Sequence, residues 1–231
     1  GNFRDNTYAF VLDTGISPNT GDLNLNSDWS RSWADDDWRD YHGHGTHVAG
    51  TIAAQANGEG IVGVAPGAEV IALKVLGDGG GGSFSWSIDA IDYAIGVIEE
   101  NDLNKQDVVL NMSLGGGFYA PVDTAVKRAA DLGIRFALAA GNETQDADNV
   151  SPAAAGDHAN VYTISASDNT YNMAYFSNYD DPFGDGDDVD FAAPGVGVRS
   201  YYKGGNLAYL SGTSMAAPHV AGALLMGGVK A

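Results

Sequence analysis

The chain has 231 residues, with 11 Lys and Arg against 30 Asp and Glu, a formal net charge of −19, and no cysteine. That charge repels a phosphate backbone and argues against nucleic acid as a partner, while the lack of cysteine excludes disulfides, a thiol nucleophile and thiolate metal sites. No apolar run approaches the ~18–20 residues a membrane helix needs, so no membrane insertion is expected, and the length suits one domain with a sizeable core.

At the amino end Gly1 stands in place of a start methionine and no signal-peptide pattern follows, so a processed product or an excised domain is expected. The first predicted strand, "TYAFVLD" (7–13), ends on Asp13. After it, "HGHGTH" (42–47) holds three of the chain's five histidines and feeds a predicted helix over 46–55. A strand over 69–76 leads to the glycine run 79–82 and to a helix over 85–101, where Ile88, Ile91, Ile95 and Ile98 recur at helical intervals.

A strand over 107–114 follows, then a helix over 121–133, a strand over 134–141 running into Asn142, and a strand over 160–167. The segment 180–190 reads as an acidic loop. A last helix over 215–228 carries Pro218 near its start, where a missing N–H costs little. Apolar strands alternating with helical segments predict an α/β fold, three-layered, with a mostly parallel central sheet flanked by helices.

In such a sheet, functional groups gather beyond the carboxyl ends of the strands. That places Asp13, the "SLGG" of 113–116 and Asn142 at one cleft. Ser214 sits at a small-residue turn entering the last helix, where unpaired backbone N–H groups can hold an oxyanion. The histidines admit two readings, since imidazole is both a metal ligand and a base near neutral pH. His42, His44 and His47 make an H-x-H-x-x-H spacing open to zinc, although Gly43 and Gly45 loosen the turn and no Glu follows as a base. The run 79–82 lacks the Lys-Ser/Thr of a phosphate loop.

An acid, a histidine and a serine in the order Asp, His, Ser, with an amide at another strand end, are the parts of a serine hydrolase in the subtilisin order. Four motifs in sequence, "DTGI", "HGTHVAG", "AAGN" and "GTSMAAPHVAG", resemble the subtilase family of serine proteases over nearly the whole chain. The resemblance implies Asp13 as triad acid, His44 as general base, Ser214 as nucleophile and Asn142 as oxyanion donor. His47 and His219 are then structural, and His42 is solvated.

It also implies substrate-binding segments at Gly80, Gly81 and Gly82 and at Ser113, Leu114 and Gly115. Ala139, Ala140 and Gly141 would complete a primary pocket suited to large apolar side chains, with Phe84 covering an outer one. The implied cofactor is structural Ca2+, held by Asp22 and Asn57 side chains and by Gln55, Glu59 and Ile61 carbonyls. Asp185, Asp187, Asp188 and Asp190 offer a second, unrelated calcium position. Expected partners are protein or peptide substrates and a propeptide or protein inhibitor. The chain is expected to act as an exported or extracellular monomer, as one peptidase domain spanning 1–231 and shortened at both ends relative to the family.

Overall fold

A computed structural model of the chain describes residues 6–181 and 188–228. Its strands are β1 (Tyr8–Asp13), β2 (Asn24–Leu25), β3 (Arg31–Ser32), β4 (Glu69–Lys74), β5 (Val108–Met112), β6 (Gly116–Gly117), β7 (Arg135–Ala139), β8 (Val150–Ser151), β9 (Val161–Ser167), β10 (Val189–Pro194), β11 (Val198–Tyr201) and β12 (Leu207–Leu210). Its α-helices are α1 (His44–Ala53), α2 (Phe84–Glu100), α3 (Ala120–Asp131) and α4 (Thr213–Leu225).

The main sheet has 8 strands, in the order β10-β9-β7-β5-β1-β4-β2, with β3 also on β4. Every pairing in it is parallel. Its central strands β1, β4, β5, β7 and β9 are the five apolar runs picked out in the sequence. From β1 the chain crosses by α1 to β4 on one side, then returns by α2 to β5 on the other. The order therefore reverses between β1 and β5, which opens a crevice beyond Asp13 and Met112.

Because strand side chains alternate, each central strand feeds two cores. One face receives Ala9, Val11, Val70, Ala72, Val109, Ala137 and Ala139, and packs on α1 and α4. The other receives Phe10, Leu12, Ile71, Leu73, Leu110, Phe136 and Leu138, and packs on α2 and α3. The small-residue face lets α1 and α4 approach closely. A Cβ on Gly222 of α4 would lie 2.6 Å from Val64 Cβ, so even a methyl group is excluded there.

Two expectations need correction. Helix α4 begins at Thr213, so Pro218 lies inside it and not at its start. Pro218 has no N–H for the carbonyl four residues back, that of Ser214, and the hydroxyl of Ser113 donates to that carbonyl instead at 2.9 Å. The segment 180–190 is not all loop either, since Val189 and Asp190 open β10. Of its acidic residues, Asp185 and Asp187 lie outside the described residues. The antiparallel hairpin β11–β12 carried no legible signal: its strands have 4 residues each and are partly exposed.

Candidate active site

Helix α1 delivers His44 to the end of β1, and two features make this possible. Gly45 is the first, because a Cβ there would fall 2.2 Å from the Gly15 carbonyl and 3.1 Å from Asp13 Cβ. The second is Asp40, buried ahead of the helix. Its Oδ1 accepts from the N–H groups of His42 (2.9 Å) and Gly43 (2.7 Å) and from the Thr14 hydroxyl (2.9 Å). Its Oδ2 accepts from the N–H (2.9 Å) and hydroxyl (2.6 Å) of Thr46. A carboxylate on these amides satisfies orphan donors of the first turn and complements the helix dipole. The sequence reading passed over Asp40; an Asp placed just before a helix start was the available signal.

His44 Nδ1 lies 2.7 Å from Oδ1 of the fully buried Asp13, which also accepts from the Thr14 N–H at 2.7 Å. The contact places the imidazole proton on Nδ1 and leaves Nε2 as the basic nitrogen. Burial pulls the His44 pKa down, but the Asp13 charge, the hydrogen bond to it and the charge of Asp40 outweigh burial and hold it above 6.5.

Ser214 occupies the first turn of α4, and its hydroxyl donates to the Ser113 carbonyl at 3.1 Å. Asn142, just past β7, accepts on Oδ1 from the Thr213 N–H (2.8 Å) and hydroxyl (3.1 Å), so its Nδ2 is the end left to donate. A Cβ built on Gly212 would lie 3.6 Å from Asn142 Oδ1, 3.7 Å from Ser214 N and 3.8 Å from Asn142 Nδ2, so the Asn142 amide and the Ser214 N–H flank the same glycine. His44, Asn142 and Ser214 line a single cavity of about 230 Å³ together with His42, Gly212 and Met215. Four elements distant in sequence, β1, α1, the turn after β7 and α4, thus bring the Asp13 carboxylate, the His44 imidazole, the Asn142 amide and the Ser214 hydroxyl together.

His44 also lines a larger cavity of about 520 Å³. One wall runs from Gly79 to Phe84 and the facing wall from Ser113 to Gly116. Predicted residues Gly80, Gly81, Gly82, Phe84, Ser113, Leu114 and Gly115 therefore meet across one groove. Phe84 stacks on Tyr119, with ring centroids 5.6 Å apart at 5°. Ala139 and Ala140 are buried behind the site, and the Gly141 N–H donates to the Thr213 hydroxyl at 3.1 Å; these three line neither cavity.

The remaining histidines divide. His47 is fully buried, with Nε2 3.0 Å from the Val198 carbonyl and 3.3 Å from that of Ala208, and burial lowers its pKa to about 4. His219 Nδ1 lies 2.8 Å from the Met215 carbonyl of its own helix, and burial lowers its pKa too. His42 departs from its expected solvation: it is half-buried and lines both cavities, because Gly80 comes so close that a Cβ there would lie 3.0 Å from its Nε2. The three rings of 42–47 thus serve different surroundings, and the structure does not gather them as a ligand set.

Two other places concern the expected cation. Asp146, Asp148 and Asp188 bring one oxygen each within 4.8 Å of one another, a donor type that suits a hard cation. Asp22 meets Asn57, whose Nδ2 donates to Asp22 Oδ1 at 2.6 Å, while the Gln55 N–H donates to the Asp22 carbonyl at 3.1 Å and Glu59 and Ile61 continue the loop. Here donors, rather than ligand oxygens, face the carboxylate.

The model of the subtilase family, Peptidase_S8, matches residues 5–226. A subtilisin-like serine protease of Rhodotorula mucilaginosa, Rho m 2.0101, is 42% identical over 221 residues, covering 94% of this chain and 60% of that protein. Cerevisin of Saccharomyces cerevisiae is 42% identical over 223 residues, covering 94% of this chain and 33% of that protein. The chain therefore spans between a third and three fifths of the length of these two relatives. The crystal structure of a cold adapted subtilisin-like serine proteinase superposes with a TM-score of 0.77 at 36% identity, covering 97% of this chain and 78% of that one. The chain belongs to the subtilase family.

Proposed function

We propose that this chain is a serine endopeptidase that hydrolyses peptide bonds through an acyl-enzyme on Ser214. The observation that carries the reading is the Asp13–His44 contact of 2.7 Å, made by a histidine that shares its cavity with Ser214 and Asn142. A peptide lies extended between Gly80–Gly82 and Ser113–Gly115, recognised mainly through its backbone, with a large apolar side chain in the primary pocket that these segments bound.

In the reaction His44 Nε2 takes the Ser214 hydroxyl proton as Oγ attacks the carbonyl carbon. The oxygen gains charge and is met by Asn142 Nδ2 and the Ser214 N–H. Asp13 holds the imidazolium through Nδ1. His44 then returns the proton to the leaving amine, and water repeats the sequence on the ester. Attack requires the Ser214 hydroxyl to leave the Ser113 carbonyl for His44, a rotation about χ1 of the kind that substrate binding completes in resting sites. No step passes through a metal. Export from the cell and partnership with a propeptide or protein inhibitor belong to the same proposal and rest on family membership.

The test is labelling with a fluorophosphonate probe followed by peptide mapping, with and without a chelator. Label on Ser214, lost in Ser214→Ala and indifferent to chelation, is expected. No label on folded protein would leave a peptide-binding module on a subtilase scaffold, and chelator-sensitive hydrolysis without label would return the histidines to a metal.

A further inference from the structure

The loop expected to hold calcium is closed by the protein itself. Asp22 is 3% exposed, and both of its carboxylate oxygens are engaged by donors. Oδ1 accepts from Asn57 Nδ2 at 2.6 Å and Oδ2 from the Tyr201 hydroxyl at 2.7 Å. The orientation of the Asn57 amide is fixed independently, because its Oδ1 accepts from the Glu59 N–H at 2.9 Å. Turning the amide over would set its NH2 against that N–H. A calcium ion needs six to eight converging oxygens at about 2.3–2.6 Å; here Asn57 offers Asp22 a nitrogen, and its oxygen is committed elsewhere.

Tyr201 reaches this loop from β11, 179 residues away in sequence. Its ring is 6% exposed, and its hydroxyl is seated against Gly60, where a Cβ would fall 1.9 Å from that oxygen and 3.5 Å from Asp22 Oδ2. Gly60 thus forms a cradle for the phenol, and the phenol fills the loop beside the carboxylate. The geometry points to Tyr201 as a resident replacement for the cation: its hydroxyl, with Asn57, closes the Asp22 loop as a metal-free clasp. A charged acceptor with two short donors needs no ion to justify its burial.

The clasp also has a mechanical consequence. The same strand supplies the Val198 carbonyl to His47, one helical turn beyond His44, and the next residue, Tyr202, packs where a Cβ on Gly43 would lie 2.4 Å from its ring. Fixing Tyr201 therefore fixes both ends of β11 against α1.

The test uses melting temperature and calcium calorimetry, so it stands apart from the proteolytic reading. Wild type, Tyr201→Phe and Asp22→Asn are compared with a chelator and with millimolar calcium. Loss of one charge-assisted hydrogen bond in a chain of this size should lower the Tm of Tyr201→Phe by roughly 3–10 °C, equally with calcium and with chelator. Any calcium heat or calcium-dependent Tm gain of the wild type should persist in Asp22→Asn. A gain that disappears in Asp22→Asn, or a Tyr201→Phe variant as stable as wild type, would overturn the clasp. Should Asp22→Asn fail to fold, Gly60→Ala replaces it: the substitution should cost more with Tyr201 present than in a Tyr201→Ala background, and equal costs would overturn the seating of the hydroxyl.

Discussion

Ser113 and Ser214 exchange hydrogen bonds: the Ser214 hydroxyl donates to the Ser113 carbonyl at 3.1 Å, and the Ser113 hydroxyl donates to the Ser214 carbonyl at 2.9 Å. The second bond exists because Pro218 has no N–H to offer the Ser214 carbonyl. Ser113 therefore pins the backbone that carries Ser214 and is itself held by Asn111 Nδ2 at 2.9 Å. In Ser113→Ala the rate of Ser214 acylation should fall about 2- to 10-fold, the worth of one neutral hydrogen bond. Ser113→Thr should recover most of it. Stopped-flow acylation decides; an Ala variant as fast as wild type would remove Ser113 from any positioning role.

The pH dependence follows from His44. In its proposed role as base His44 acts when neutral, and its pKa is held above 6.5 because Asp13 and then Asp40 outweigh burial. Activity should therefore fall as pH drops through that raised value. Asp40→Asn removes one raising charge, so the acid limb of kcat/KM should move to lower pH, against the direction expected from simple loosening of the site. An unmoved limb would show that Asp40 acts only as a helix cap.

Much of this site was legible because its parts are local. Strands read from apolar runs ended on Asp13 and Asn142, and a strand-end rule alone brought them to one crevice. What escaped depends on partners far along the chain. Asp40 looks like one acid among the 30 acidic residues until its five donors, which include Thr14, are seen. Tyr201 carries no motif, and its pairing with Asp22 is a product of the fold. Pro218 was misplaced because a helix start reads poorly where Gly212 supplies no side-chain cap.

Asn142 gives a prediction on the oxyanion. With Oδ1 committed to Thr213, replacement by Ala removes one donor to the developing charge and also the acceptor for the Thr213 N–H. kcat should fall about 10²- to 10³-fold with KM little changed, the cost of one such donor in the related subtilisin. A KM effect alone would mean that Asn142 binds ground-state substrate.

His47 sets an acid limit on stability. Its folded pKa, about 4, lies below its ordinary 6.5 because the ring is buried. Between those values the unfolded chain takes up a proton that the folded form refuses, so stability should fall as pH drops through this window. His47→Gln, which keeps a donor for the Val198 carbonyl, should be less stable near neutrality but less steep in the window. Urea midpoints across it provide the measurement; equal slopes would locate the acid sensitivity elsewhere.

Asp188 predicts the opposite slope. Burial, then contact with Asp148, pushes its carboxyl from 3.8 up to about 8. The fold therefore favours the protonated form, and ionising it as pH rises through that window should cost stability. Asp148→Asn removes the nearest like charge, so its Tm should exceed that of wild type at the upper end of the window, by about 2–4 °C for each kcal/mol of repulsion relieved. The two proteins should converge toward the lower end. Added salt should raise the wild-type Tm more than that of the variant, because screening and substitution relieve the same repulsion. Parallel Tm curves across the window would mean that Asp148 and Asp188 do not share a proton.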